Sequence, residues 1–238
     1  MRINHIILFL FIAPFLRGQT TTLLLKDSVN IAAWTNDVGI YATLYTGKEH
    51  AKYPMAYENS PFYLTKDPLD ASLSYDGVYY SQVRLRWDTY TDEVIVLTPD
   101  GRYNIILVPG RFEKAGLESG QLSYLYADKI SGIKASGYYL ELYDNQYKIW
   151  YKLTTVLEPK MTGQLVNYSF ISRDSYYIQK GNMLFQVRNM SGILRVFADK
   201  KKELRQFAKK NSLDFKTNTK GVLMMMVNEY ERLTQTNK

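Results

Sequence analysis

The chain has 238 residues, of which 46% are hydrophobic and 22% charged, with a net charge of +7, two histidines and no cysteine. The absence of cysteine excludes a disulfide framework, a lipid-bearing cysteine after a leader and any thiolate metal site. The positive charge is local: residues 19–194 carry 17 basic and 18 acidic side chains, whereas residues 195–238 carry 11 and 5.

Residues 1–18, MRINHIILFLFIAPFLRG, place Arg2 before an apolar run from Ile6 to Leu16. That run is short for a bilayer span and has the layout of a secretory signal peptide, with cleavage expected between Gly18 and Gln19. The competing reading is an uncleaved N-terminal anchor, since Leu16 is large for its place in a cleavage site. No later segment reaches the length of a transmembrane helix, so the cleaved chain is expected not to span a membrane and to be periplasmic or extracellular. Export without cysteine fits a bacterial envelope, where the sequons at Asn167 and Asn189 have no meaning.

From Gln19 to Asp70 the pattern is mixed. "TTTLLL" suits a strand, "VNIAAWTNDVGIYATLYTG" suits either a helix or strands, and Pro61 in "NSPFYL" fixes a local turn or an extended entry. From about residue 75 the period is two. Val83, Leu85 and Trp87 alternate with Gln82, Arg84 and Arg86, as in a half-buried strand. Three hairpins follow, turning at Pro99-Asp100-Gly101, Asp144-Asn145-Gln146 and Lys180-Gly181-Asn182. Hairpins in series predict an antiparallel meander or partial barrel within a β-rich body spanning residues 19–189. Twenty of the 21 tyrosines lie between Tyr41 and Tyr177. Such rings fit pleated sheet faces and also fit an aromatic platform for sugar or peptide.

After residue 189 the period becomes helical. Ser191 can cap a short turn, and Asp199 can cap a helix whose Leu204, Phe207 and Ala208 form one apolar stripe. Val222, Leu223, Met226, Val227, Tyr230 and Leu233 share a face of a second helix, with Met224–Met226 read as gap-filling core. Residues 190–238 are therefore expected to form a basic helical hairpin packed on the body. The fold class is mainly β, α+β overall. Lys200, Lys201, Lys202, Arg205, Lys209 and Lys210 surround the apolar stripe. They are either the solvated face of a half-buried helix or a contact for an anionic surface, namely lipid headgroups, acidic polysaccharide or an acidic protein. Nucleic acid is not an expected partner, because the tail lacks a reading motif with stacking aromatics.

Catalytic chemistry has few footholds. His50 is the one histidine past the leader, in the polar stretch "GKEHAKY", where a surface position is expected. It is too little for a zinc centre, and no G-x-S-x-G elbow accompanies it. No phosphate-binding glycine loop, dinucleotide fingerprint or calcium loop is present, so no cofactor or metal is expected. Carboxylates could still act as a pair across a cleft, as in glycoside hydrolysis. Asp88, Asp92, Glu93, Glu141 and Asp144 are the candidates, although acids at hairpin turns are ordinary turn chemistry.

"NSPFYL" followed by "YDGVYYSQVRLRWDTYTDEV", with Arg86, Trp87, Asp88, Tyr90, Asp92 and Glu93, resembles a pattern in uncharacterised exported proteins of Bacteroidota. The tail, with Phe197, Asp199 to Leu204 and Leu213 to Phe215, is similar to the end of those chains. The resemblance implies an envelope protein with a β body and a helical tail, and carries no activity. The expected function is an exported, non-enzymatic envelope binding or interaction module. The alternatives are a carrier holding a lipid-like ligand in a curved sheet and a carboxylate-based hydrolase.

Overall fold

The computed structural model describes residues 43–162 and 165–235. The signal peptide, the cleavage point, the "TTTLLL" strand and the expectations for residues 19–42 lie outside the described residues.

Eleven strands form one sheet: β1 (Tyr57–Glu58), β2 (Leu69–Tyr75), β3 (Val78–Asp88), β4 (Glu93–Leu97), β5 (Asn104–Ile106), β6 (Phe112–Leu117), β7 (Gly120–Leu125), β8 (Gly137–Asp144), β9 (Lys148–Thr162), β10 (Leu165–Lys180) and β11 (Met183–Val187). Three helices follow: α1 (Met190–Val196), α2 (Lys201–Lys210) and α3 (Thr219–Gln235). The protein is mainly β with C-terminal helices, as the sequence pattern predicts.

The spatial order is β1-β10-β9-β8-β7-β6-β2-β3-β4-β5, with β11 beside β10. Two antiparallel meanders, β2 to β5 and β6 to β11, join where β2 pairs with β6. The sheet is mixed, because β1 runs parallel to β10 through Tyr57–Tyr168 and Glu58–Ser169. Nothing in a two-residue strand foretells that pairing.

The alternation in β3 is as expected: Val83, Leu85 and Trp87 are buried while Gln82 and Arg84 face outward. Gly101 at φ +73° and Gly181 at φ +60° hold the turns after β4 and β10. Both are left-handed positions that a Cβ penalises, and the second forms a two-residue hairpin loop between Lys180 and Met183.

The sheet stays open rather than closing into a barrel, but it curls until its β3–β4 end meets β9. Thr155 N–H donates to Thr89 O at 3.0 Å, and the two threonine hydroxyls lie 2.6 Å apart. Inside the curl, Leu73, Leu85, Trp87, Val94, Leu122, Tyr138 and Leu140 form the main core.

A second core lies under the helices. Tyr147, Ile149, Ile178 and Val187 of the sheet side meet Ile193, Phe197, Leu204, Leu223, Val227 and Tyr230. Phe197 and Tyr230 stack with centroids 4.0 Å apart, and Tyr147 meets both edge-on. Leu142 packs against both cores. Neither expected capping residue caps its helix. Asn189, not Ser191, caps α1, its side chain accepting from Gly192 N–H at 3.0 Å. Asp199 lies in a 3-10 turn before α2 and its carboxylate accepts the Tyr230 hydroxyl, so α2 starts at Lys201 behind an N-cap, Lys200, that makes no side-chain cap. The aromatic seam has claimed the acid that the helix start could have used.

Burial pushes the hydroxyls of Tyr138, Tyr139 and Tyr151 well above the ordinary tyrosine range. These groups stay neutral in the fold and ionise in the unfolded chain from about pH 10. Their contribution is complete below that value and is lost as pH rises further, by about 1.4 kcal/mol per pH unit for each such tyrosine. Lys152, lowered by burial, works in the opposite sense, but it is one group against several. Thermal melts are expected to be flat up to about pH 9.5 and to fall steeply above about pH 10.5. A melting temperature unchanged at the alkaline end refutes the expectation.

Candidate functional site

In α2, Leu204 and Ala208 are buried and Phe207 is half-buried against α3 and the sheet, so the stripe read from the sequence is the packed side. At 3.6 residues per turn, Lys201, Lys202, Arg205 and Lys209 fall within an arc of about 100° on the outward side. No acidic residue of the helix shares that arc. Glu203 projects from the opposite flank beside Lys210 and comes within 4.0 Å of Lys200. All of the six basic residues except Lys200 are exposed.

The arc ends at a groove of about 430 Å³ between the end of β11 and the α2–α3 loop. Its floor is Met190, Ala208, Leu213 and Phe215, and its rim carries Arg188, Lys209 and Lys216. Asp214 also lines it, but its carboxylate is taken by the Thr217 hydroxyl and the Lys216 N–H, which lower its pKa. The basic surface is therefore wider than the helix. Arg188 and Lys216 were not singled out in the sequence because they lie outside the charge run.

The five candidate acids behave differently. Asp88, expected at a turn surface, is fully buried at the end of β3. It accepts from His50 Nε2 at 3.1 Å, Tyr53 Oη at 2.5 Å and the N–H groups of Tyr90 and Thr91. His50, expected at the surface, is correspondingly sunk, with 10% of its side chain exposed. Asp92 receives Lys152 Nζ at 2.5 Å, Trp87 Nε1 at 3.1 Å and Tyr138 N–H at 3.2 Å. Glu93 accepts from the Thr91 hydroxyl. Glu141 and Asp144 share the Lys148 ammonium at 2.9 and 2.8 Å. Every one of the five acids is held by at least one donor, and Glu141 and Asp144 share theirs.

Glu231 was not anticipated from the sequence. It is buried in α3 and accepts from Tyr143 Oη, Asn145 Nδ2 and Tyr147 N–H at 2.6, 2.9 and 3.0 Å. Its partners lie more than 80 residues away, beyond the reach of any local pattern.

Among the described residues, no helix is long and apolar enough to cross a membrane. Comparison with known proteins finds no matching family model, curated protein or solved structure.

Proposed function

We propose that this chain is an exported, non-catalytic interaction module of a bacterial envelope that docks on an anionic surface through the outer face of α2. The observation that carries the reading is the acid-free arc of Lys201, Lys202, Arg205 and Lys209, continued at its groove end by Arg188 and Lys216. A ridge of flexible ammonium and guanidinium groups without a shaped hydrogen-bonding cradle suits distributed charge better than one stereospecific ligand. The exported setting rests on the N-terminal residues 1–18 and on the Bacteroidota resemblance. The carrier alternative calls for an apolar cavity between sheet and helices, a seam occupied by Tyr147, Ile149, Phe197, Leu223 and Tyr230.

The test compares the mature chain with the triple variant Lys201→Glu, Arg205→Glu, Lys209→Glu for binding to anionic vesicles and to an acidic polysaccharide. All three positions are exposed, so the fold is expected to persist, and circular dichroism checks it. Docking predicts binding that falls steeply with salt and at least tenfold with the charge reversal. Absent binding, or binding indifferent to the reversal, leaves α2 as a solvated helix face and defeats the proposal.

A further inference from the structure

The segment from Gly47 to Lys66 lies over the outer face of β3 to β5. His50 N–H donates to Asn104 O at 2.8 Å and Ile106 N–H to Lys48 O at 2.9 Å, so this segment extends the sheet beyond β5. Farther along, Phe62 bridges to Asp88 and Tyr63 N–H donates to Trp87 O. Between these two attachments the chain bows away from the sheet and leaves a pocket of about 340 Å³.

The chemistry of this pocket is one-sided. Lys52, Lys66 and Arg86 line it together with the rings of Tyr53, Tyr57 and Phe62. The acids close by are Asp88, engaged by four donors, Glu93, which accepts from the Thr91 hydroxyl and acts on Tyr53, and Asp67, which is exposed and acts on Arg86. Arg86 is the informative group. Its guanidinium lies over the Phe62 ring at 5.3 Å and spends Nη1 on Asn104 Oδ1 at 3.1 Å. Its Nε is buried and has no acceptor. Arginine is normally satisfied when buried, because an unmade charged donor is expensive. The edge of the guanidinium left over, Nε with Nη2, is the fork that receives an oxyanion in two parallel bonds. Lys66 Nζ stands 5.7 Å from the Tyr57 ring, at the rim of the same pocket.

We propose that this pocket binds a carboxylate carried on a sugar ring, with the carboxylate on the free edge of Arg86, steadied by Lys52 and Lys66, and the ring against Tyr57 and Phe62. An oxyanion supplies the missing acceptor, while Tyr57 and Phe62 offer apolar surface to the ring and Tyr57 a hydroxyl to its substituents. The size is that of a small-molecule site rather than of a helix or strand. The site belongs to the sheet body and does not depend on the docking role of α2.

The experiment titrates galacturonate into the mature chain by calorimetry, with galactose and inorganic phosphate as the other probes. Galacturonate is expected to bind, and galactose, which lacks the carboxylate, is expected not to. Arg86→Gln and Lys66→Gln are each expected to weaken binding tenfold or more, and charge reversal at Lys201, Arg205 and Lys209 is expected to leave it unchanged. Should Arg86→Gln fold poorly, the rim variant Lys66→Gln carries the comparison. Absence of galacturonate binding, equal binding of galactose, or indifference to both pocket variants overturns the site. Phosphate binding as tightly as galacturonate overturns the role given to the ring.

Discussion

Replacing Glu231 by alanine is expected to cost about 3–5 kcal/mol of stability, the range for breaking a buried hydrogen-bonded charge. The substitution removes the acceptor for three donors at once: the Tyr143 hydroxyl, the Asn145 amide and the Tyr147 backbone N–H. Tyr147 is itself buried between the sheet and Phe197, so its orphaned N–H has little access to water. Glu231→Gln keeps the volume and one carbonyl oxygen, but turns an amide NH₂ toward a donor; an intermediate loss of about 2 kcal/mol is expected. For a domain of this size the alanine variant is expected to melt roughly 10 °C lower. Hydrogen exchange should locate the damage, with α3 amides losing protection before those of β3 and β4. A loss below about 0.5 kcal/mol, the range of ordinary surface changes, shows that α3 is held by its apolar seam alone.

Those two contributions differ in how far they can be read from sequence. The apolar seam was legible, since Val222, Leu223, Met226, Val227 and Tyr230 repeat at helical spacing and all are buried. The alternating core of β3 and the glycine turns after β4 and β10 were legible for the same reason: a period or a backbone constraint acts on neighbours in the chain. Glu231, Asp88 and Asp92 were not. Each carboxylate takes its identity from donors contributed by other elements, and a turn acid looks the same in sequence whether or not a lysine 60 residues away swings onto it. The join of β2 to β6 and the parallel β1–β10 pair escaped notice because both are choices among competing strand edges, which local patterning leaves open. Of the candidate contact face, the six residues of the charge run were visible, but their sorting into an acid-free arc and a flank with Glu203 needs the helix phase. Arg86 read as one of the outward residues of an alternating strand. Apart from Asn104, the residues that close the pocket around it come from residues 50–66, where no period guides the eye.

Asp92→Ala is the second change expected to have a large effect, about 3 kcal/mol. Asp92 follows β3 in a left-handed conformation, at φ +55°, and its carboxylate holds Trp87 on its own side of the curl. On the other side it binds Lys152 of β9 and the N–H of Tyr138 in β8. Lys152 Nζ also donates to Tyr138 O at 2.9 Å and sits 4.9 Å from the Tyr139 ring. In sheet order β3 and β8 are separated by β2, β6 and β7, so this ion pair is a clasp across the curl rather than a rung within it. Burial lowers the Lys152 pKa while Asp92 opposes the shift; removing the acid leaves a poorly hydrated ammonium with a carbonyl and ring faces but no counter-charge. Lys152→Met in the Asp92→Ala background should therefore recover stability, and the double-mutant cycle should give a coupling of about 2 kcal/mol. Gly137→Ala tests the same clasp sterically. A Cβ at that position lands inside contact distance of both the Asp92 carboxylate and the Lys152 ammonium, so one must withdraw. A cost of about 2 kcal/mol is expected in the native background, in the range of overpacking a filled site. That cost should shrink once Asp92 is alanine. Equal costs in the two backgrounds, with additive effects of Asp92→Ala and Lys152→Met, show that the curl is held by Trp87, Tyr138 and their apolar neighbours without the clasp.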